Sequence, residues 1–212
     1  MPPVGNDIVD LVDPGNIWKS ADERFCRRVF NAAELSVIAG SARPDSLLWA
    51  IWAAKEAAYK ATSRGDPSVC SIPRKYPVFL ETAARSGSHE TLKGRVTTPL
   101  GDVSVYVFIE GEALHAIAVK NAEDFTGIVF RVERVDGNVG DPSAFVRKIL
   151  LEEMAWRLGC SVDDLSVFKE KKRPRAPFIS FRGGRLPVEI SLSHDGHFAA
   201  FAYDSGTLHI SS

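Results

Sequence analysis

The sequence places two carboxylates among apolar residues, where an ionised group is costly unless it has a partner. Asp7 lies in the strand-like stretch "VGNDIVDL", residues 4–11. Glu56 lies in "SLLWAIWAAKEAAYKA", residues 46–61, whose apolar residues recur with the period of a helix. If these elements bring the carboxylates together, they offer the hard oxygen ligands that Mg²⁺ takes beside water and substrate phosphates. The pattern therefore indicates a Mg²⁺ site and a phosphate-bearing substrate.

The helix that carries Glu56 has little open solvent face. On a helical wheel Lys55 falls in the middle of the apolar face, and Glu56 lies on its flank. Four alanines that invite close packing form the opposite face: Ala50, Ala54, Ala57 and Ala61. A second interpretation stays open for each group, because Asp7 could cap the strand and Lys55 could extend its ammonium to solvent.

Two segments nearer the C-terminus carry further polar groups. In "SLSH", residues 191–194, two serines and a histidine end a strand, and the chain has no Gly-x-Ser-x-Gly sequence that would indicate a hydrolase. The basic run "KEKKRPRAP", residues 169–177, is typical either of a solvated loop or of a phosphate clamp.

The elements that must position these residues are helices and short strands. Capping patterns predict helix starts at "SADE" (20–23), at "NAAE" (31–34), at Asp45 or Ser46, and at Asp141 followed by Pro142. A long helix precedes several strand-like runs over 45–120 and again over 142–212. We therefore predict an α+β fold of two similar halves, residues 1–122 and 123–212, each a long helix packed on a small antiparallel sheet.

The composition excludes several classes of protein. The net charge of −1 gives no general attraction to nucleic acid or to a membrane surface. The longest apolar run, "LLWAIWAA", is too short to span a bilayer, and the N-terminus lacks the pattern of a signal peptide. The three scattered cysteines predict free thiols in a reducing cytoplasm.

Taken in order, the motifs resemble those of the 4′-phosphopantetheinyl transferase superfamily. "VGNDIVDL" is similar to the family's Gly-x-Asp strand, "WAAKEAAYKA" to its Lys-Glu helix, and "SLSHDG" to its Ser-x-Ser-His segment. "DERFCRRVFNAAEL" resembles the corresponding stretch of the small holo-acyl-carrier-protein synthases. The resemblance covers residues 4–65 and 167–203 and is thin over 66–166.

This resemblance implies a Mg²⁺-dependent transferase. The substrates would be coenzyme A and an apo acyl or peptidyl carrier protein of fatty-acid, polyketide or peptide synthesis. The carrier's serine would attack the β-phosphate of coenzyme A, and 3′,5′-ADP would leave. Two other functions stay open: a non-catalytic homologue that binds coenzyme A or the carrier, and a Mg²⁺-dependent nucleotide phosphodiesterase.

The resemblance also assigns roles to single residues. Asp7 and Glu56 would be the metal ligands, and Glu56, or a metal-bound water that it orients, would be the general base. The other implied contacts are all to coenzyme A: Lys55 and Lys60 to its phosphates, Ser193 and His194 to phosphates across the cleft, and Lys172, Arg173 and Pro174 near the adenine and 3′-phosphate. Lys55 could alternatively orient Glu56.

The chain departs from both known types of the family in one respect. It has the motif order of the small synthases, which are about half as long and trimeric, at nearly the length of the fused, surfactin-synthetase-activating type. We therefore predict a monomeric pseudo-dimer with the active site between its halves. Carrier proteins of this class are acidic, so Arg24, Arg27 and Arg28 are candidates for contacting one.

Two further residues of the first strand receive an interpretation. Asp10 lies on the strand face opposite to Asp7, where it would support the metal site from outside or contact a basic residue. Gly5 would let a phosphate or a metal-bound water approach the backbone closely.

Overall fold

The computed structural model describes residues 3–64, 66, 68–135, 137, 140–170 and 176–207. In this part of the chain antiparallel sheets combine with a few helices, as the sequence predicts. The two-half arrangement stays a prediction. No helix in these ranges is long and apolar enough to cross a membrane.

The first sheet has five antiparallel strands in the order β1-β5-β4-β3-β2. Its strands are β1 (Val4–Asp10), β2 (Val78–Ser86), β3 (His89–Thr98), β4 (Gly101–Glu110) and β5 (Ala113–Val119). Three helices lie between β1 and β2 in the chain: α1 (Glu23–Val29), α2 (Ala32–Ala39) and α3 (Pro44–Ser63).

The rest of the described chain forms two smaller sheets and one long helix. The helix is α4 (Pro142–Leu158). One sheet has the order β10-β11-β6 and the other β7-β8-β9. Their strands are β6 (Ile128–Arg134), β7 (Leu165–Lys169), β8 (Pro177–Phe181), β9 (Gly184–Arg185), β10 (Ile190–Asp195) and β11 (Phe198–Asp204).

Helix starts follow the predicted capping residues in two of four cases. Asn31 forms a capping box with Glu34 at α2, and Asp141 caps α4 in front of Pro142. Helix α1 begins later than predicted, because Asp22 rather than Ser20 accepts the bond that caps it. Helix α3 begins at Pro44 with no side-chain cap. Its predicted cap Asp45 instead accepts hydrogen bonds from the backbone N–H groups of Trp18 and Ser20.

Helix α3 packs directly on β1 through small residues. Ala57 and Ala61 are fully buried, and a β-carbon on Gly5 would lie 1.9 Å from the carbonyl oxygen of Ala57. Gly5 therefore admits the helix backbone. This corrects the expectation that it admits a phosphate or a water. The packing brings the last turns of α3 beside Asp7.

The opposite face of β1 packs against the sheet that contains β10 and β11. Apolar side chains fill this seam: Ile8, Ala113, Phe198 and Ala200. Strand β1 is an edge of the first sheet and β10 is an edge of its own sheet. The segment that includes His194 therefore lies across β1 from helix α3.

Candidate active site

Asp7 and Lys60 form the centre of the candidate site. The Nζ atom of Lys60 lies 2.7 Å from Oδ1 of Asp7 and donates a second hydrogen bond of 2.9 Å to the carbonyl oxygen of Asn6. Burial raises the pKa of Asp7 more than the ammonium of Lys60 lowers it, and the charge of Asp195 raises it further. Lys60 therefore compensates the carboxylate of Asp7 only in part.

Glu56 lies one turn before Lys60 on α3 and is electrostatically coupled to Asp7. Burial raises the pKa of Glu56, and the negative charge of Asp7 raises it further against the smaller opposing effects of Lys60 and Ser71. Two carboxylates thus share one ammonium. A divalent cation would relieve their repulsion, so the site favours a metal ion electrostatically.

The donor set of this site fits a hard divalent cation. Asp7 and Glu56 supply carboxylate oxygens, whereas the described residues contain no cluster of three or more His, Cys, Asp or Glu side chains that could hold a metal. Mg²⁺ commonly uses one or two carboxylates and completes its shell with water and substrate phosphates. The pair suits a metal that binds together with a phosphate-bearing substrate.

A cleft of about 220 Å³ begins at Lys60 and runs between α3, α4 and β10. Basic groups from several elements line it: Lys60 of α3, Arg64 directly after that helix, Arg147 of α4, Lys169 of β7 and His194 of β10. Arg64 pairs with Glu189, and Arg147 lies 3.6 Å from Asp141. Lys169 forms no ion pair within the part of the chain that the structure describes. The cleft is therefore suited to a ligand with several negative charges.

Ser193 and His194 of the "SLSH" segment point in different directions. His194 is exposed and lines the cleft. Ser193 is 7% exposed, and its Oγ accepts a hydrogen bond of 3.0 Å from Nδ2 of Asn6. Consecutive residues of a strand alternate between its faces, so Ser193 faces β1 while His194 faces the cleft. In this geometry the predicted contact between Ser193 and coenzyme A phosphates has no support.

Lys55 lies on the far side of α3 from the predicted phosphates. It is 1% exposed, and its ammonium donates to both carboxylate oxygens of Glu34 and to the carbonyl oxygens of Pro73 and Tyr76. These bonds use its donors fully, so Lys55 cannot bind coenzyme A phosphates from this position. The structure gives it a structural role and replaces the predicted one.

The remaining predicted residues belong to the basic run. Lys172, Arg173 and Pro174 lie outside the described residues. Their described neighbours Lys169, Ala176 and Pro177 line the cleft, so the run begins and ends beside it.

Sequence reasoning did not identify the residues that connect β1 to the last hairpin. Asp10 is fully buried and accepts hydrogen bonds from the backbone N–H and from Nδ1 of His197, at 2.9 and 2.7 Å. Burial raises the pKa of Asp10, but these bonds and one from Val12 outweigh it and hold the pKa below its usual value. Of the two roles considered for Asp10, the structure shows the contact to a basic residue. No pattern in the sequence pairs Asp10 with His197.

Residues 3–98 match the model of the 4′-phosphopantetheinyl transferase superfamily. This segment is a 4′-phosphopantetheinyl transferase superfamily domain. The match includes Asp7, Glu56 and Lys60 and stops at the end of β3, so His194 lies beyond it. No curated protein matches the chain.

The match of residues 3–98 to this superfamily indicates a transferase domain. Members use coenzyme A as co-substrate, act on carrier proteins and generally require a divalent metal. Within the matched segment, the coupled carboxylates lie beside Lys60, which also lines the basic cleft.

Proposed function

We propose that this protein transfers the 4′-phosphopantetheine arm of coenzyme A to a serine of an apo acyl or peptidyl carrier protein and releases 3′,5′-ADP. One observation carries the proposal. Lys60 donates a hydrogen bond to Asp7, whose negative charge, like that of Glu56, is only partly compensated. Lys60 also lines the basic cleft, so the two carboxylates lie next to that cleft. A metal site and a polyphosphate site therefore adjoin each other.

Coenzyme A would lie in the cleft with its phosphates on the basic side chains. Its pyrophosphate and 3′-phosphate together need several donors, and the cleft offers Lys60, Arg147, Lys169 and His194 from four elements. The proposal retains the adenine and 3′-phosphate contacts of Lys172, Arg173 and Pro174.

Asp7 and Glu56 would hold Mg²⁺, which when bound supplies charge neutralisation at the phosphoryl group that is transferred. The protein's own groups do the rest of the chemistry. Burial raises the pKa of Glu56 in the metal-free protein, and a bound cation would lower it, so that the carboxylate would be ionised and able to accept a proton near neutral pH. Lys60 holds the carboxylate of Asp7 in place and presents positive charge to the phosphates.

In the reaction Glu56 accepts the proton of the carrier's serine hydroxyl while the serine oxygen attacks the β-phosphorus of coenzyme A. The bond between that phosphorus and the bridging oxygen breaks, and 3′,5′-ADP leaves with the bridging oxygen. Lys60 and the basic residues of the cleft stabilise the charge on the leaving group. Phosphopantetheine then remains on the serine as a phosphodiester.

The arrangement of the chain is part of the proposal. We propose a monomer in which residues 1–122 and 123–212 form a pseudo-dimer; in support, α3 packs on the first sheet and α4 on the sheet that contains β10. Arg24, Arg27 and Arg28 are exposed on α1 and would attract an acidic carrier. Free thiols at Cys26, Cys70 and Cys160 favour a cytoplasmic location.

The decisive experiment incubates the protein with coenzyme A, Mg²⁺ and several apo carriers of fatty-acid, polyketide and peptide synthesis. We expect a carrier to gain the mass of one phosphopantetheine arm, and EDTA to abolish the gain. Binding of coenzyme A without a mass gain on any carrier would indicate a non-catalytic homologue. Cleavage of coenzyme A without a carrier would indicate a phosphodiesterase.

A further inference from the structure

Asn6 contacts both walls of the cleft at once. Its carbonyl oxygen accepts a hydrogen bond of 2.9 Å from Nζ of Lys60 on α3. Its backbone N–H donates to Oγ of Ser191 at 2.9 Å, and its side-chain Nδ2 donates to Oγ of Ser193 at 3.0 Å. Asn6 is fully buried, so water does not compete for these bonds.

We infer that Asn6 and its two serine partners are positioning residues that fix His194 relative to Lys60 across the cleft; this inference rests on the proposed function. Ser191 and Ser193 then serve to hold β10 on β1, and His194 is the member of the segment that contacts substrate. The "SLSH" motif would thus combine two serines that bond Asn6 with one substrate-binding side chain, His194.

The topology explains why side-chain hydrogen bonds are needed to hold β10 on β1. Strands β1 and β10 belong to different sheets, so no backbone ladder sets their register. Among the described residues the polar bonds between β1 and the hairpin of β10 and β11 all involve side chains. They lie at two places, Asn6 near the start of β1 and Asp10 at its end. Because His194 directly follows Ser193, a shift of that serine moves the imidazole by a similar distance.

Both hydrogens of the Asn6 amide are paired when the neutral imidazole of His115 accepts one of them through Nε2. Burial, with the charge of Lys60, lowers the pKa of His115 to about 3, so this histidine is neutral. Nε2 of His115 lies 3.0 Å from Nδ2 of Asn6 and can accept its second hydrogen. Both amide hydrogens are then used, one on His115 and one on Ser193.

This arrangement leaves two buried polar atoms without a partner among the described residues, Oδ1 of Asn6 and Nδ1 of His115. Unpaired buried polar groups reduce stability, and apolar side chains at positions 6, 115 and 193 together would avoid that cost. Selection for folding alone would favour such an apolar cluster. The polar network therefore supports a role in the site.

The test uses isosteric variants and a coupling measurement. Ser193→Thr keeps the hydroxyl, whereas Ser193→Val has the same shape without it. We expect Ser193→Val and Asn6→Ala to weaken coenzyme A binding about tenfold, as for the loss of one charge-assisted hydrogen bond, and Ser193→Thr to restore most of it. Calorimetric titration with coenzyme A measures the affinity of each variant.

The distinguishing readout is the effect of the serine when His194 is absent. In a His194→Ala background, Ser193→Val should change coenzyme A affinity less than about twofold, because the serine acts through the histidine. An undiminished tenfold loss in that background, or equal affinities of Ser193→Thr and Ser193→Val, would overturn the inference.

A stability control separates positioning from general loosening. Thr98→Val removes a buried hydroxyl that bonds only within its own hairpin, to Gly101 and Leu100. It should lower the denaturation midpoint yet leave coenzyme A affinity unchanged. The wild-type protein could bind coenzyme A, with the expected coupling between the Ser193 and His194 substitutions, and still modify no carrier. In that case the proposed transfer fails while the inference stands.

Discussion

Lys60 and Asp7 are joined by an ion pair of 2.7 Å, and the charge of the same ammonium also acts on a second carboxylate, Glu56. Lys60 lowers the pKa of both Asp7 and Glu56, but burial and the coupling between neighbouring carboxylates outweigh its effect on each. The apo site therefore has more negative charge than it can compensate. This excess negative charge destabilises the metal-free protein and favours the binding of a cation.

The first prediction concerns Glu56→Gln, which should stabilise the metal-free protein while abolishing transfer. The pKa of Glu56 is higher in the folded than in the unfolded chain. The folded state therefore loses stability as the pH rises from the unfolded-state pKa through the folded-state pKa. Removing the charge at pH 7 should raise the melting temperature by roughly 2–4 °C for each kcal/mol regained. Transfer should fall by about 10²–10⁴, the usual contribution of a general base.

Thermal scans without metal, at several values of pH between 4 and 8, check this prediction. Glu123→Gln is the control, since Glu123 is exposed and lies outside the cleft. A variant at position 56 that melts lower than wild type at neutral pH would contradict the assigned charge imbalance, and undiminished transfer would remove Glu56 from its role.

The second prediction concerns Lys60→Met, which should move the acid limb of activity to higher pH. The ammonium of Lys60 lowers the pKa of both carboxylates, so its loss raises both pKa values further, and protons then compete with the metal for these oxygens at a higher pH. The pH profile of kcat/KM for coenzyme A measures this shift. Lys60→Arg should lose activity but leave the acid limb of the pH profile at the same pH, because position 60 keeps its positive charge.

An exposed lysine on the neighbouring helix provides the comparison for that profile. Lys148 pairs loosely with Glu152 on the surface of α4, so Lys148→Met should alter neither the rate nor the limb. An unshifted limb in Lys60→Met would show that the acid limb reports groups other than Asp7 and Glu56.

The third prediction is that Gly5→Ala disrupts the packing of α3 on β1. The new β-carbon would lie 1.9 Å from the carbonyl oxygen of Ala57 and 2.6 Å from the backbone nitrogen of Ala61, and both are backbone atoms that cannot rotate away. Overpacking of this kind costs about 1–3 kcal/mol or more in the free energy of unfolding. Urea denaturation measures the loss, and Gly140→Ala, where nothing lies within 4 Å, should be nearly neutral.

The fourth prediction is that Lys55 supports the fold and does not bind coenzyme A. Lys55→Met leaves the carboxylate of Glu34 buried without its ammonium, which should cost about 3–5 kcal/mol in the free energy of unfolding. The double variant Lys55→Met with Glu34→Gln should recover part of this loss, because no unpaired charge remains. Lys19→Met breaks a surface pair with Asp22 and should cost about 1 kcal/mol or less.

Coenzyme A titration of the folded double variant decides between the two roles of Lys55. An affinity within about twofold of wild type would support the structural role of Lys55 in its buried pair with Glu34. A loss of tenfold or more would support the contact to coenzyme A phosphates that the motif implies.

The sequence alone was enough to place several residues on the correct face of their own element. Alternation along β1 put Asp7 and Asp10 on opposite faces, and they do face α3 and the last hairpin respectively. Helical periodicity likewise placed Glu56 and Lys60 one turn apart and reserved the alanine face for close packing. These inferences succeed because backbone geometry within one element is local and periodic.

Partners across elements could not be predicted in this way. Lys55 looked like a group that reaches phosphates, yet Glu34 of α2 occupies its ammonium. Ser193 belongs to the family motif, yet Asn6 turns it toward β1. Asp10 and His197, 187 positions apart, meet only because one strand crosses another sheet.

The sequence by itself thus determined which residues could perform the chemistry and which faces of their elements present them. Only the tertiary structure decided which neighbour each residue meets. The reason is that periodicity along the chain fixes direction within an element, whereas the burial of apolar surface between elements fixes their distance and register. Those two quantities determine whether a charged group such as Lys55 or Lys60 lies in the core or in the cleft.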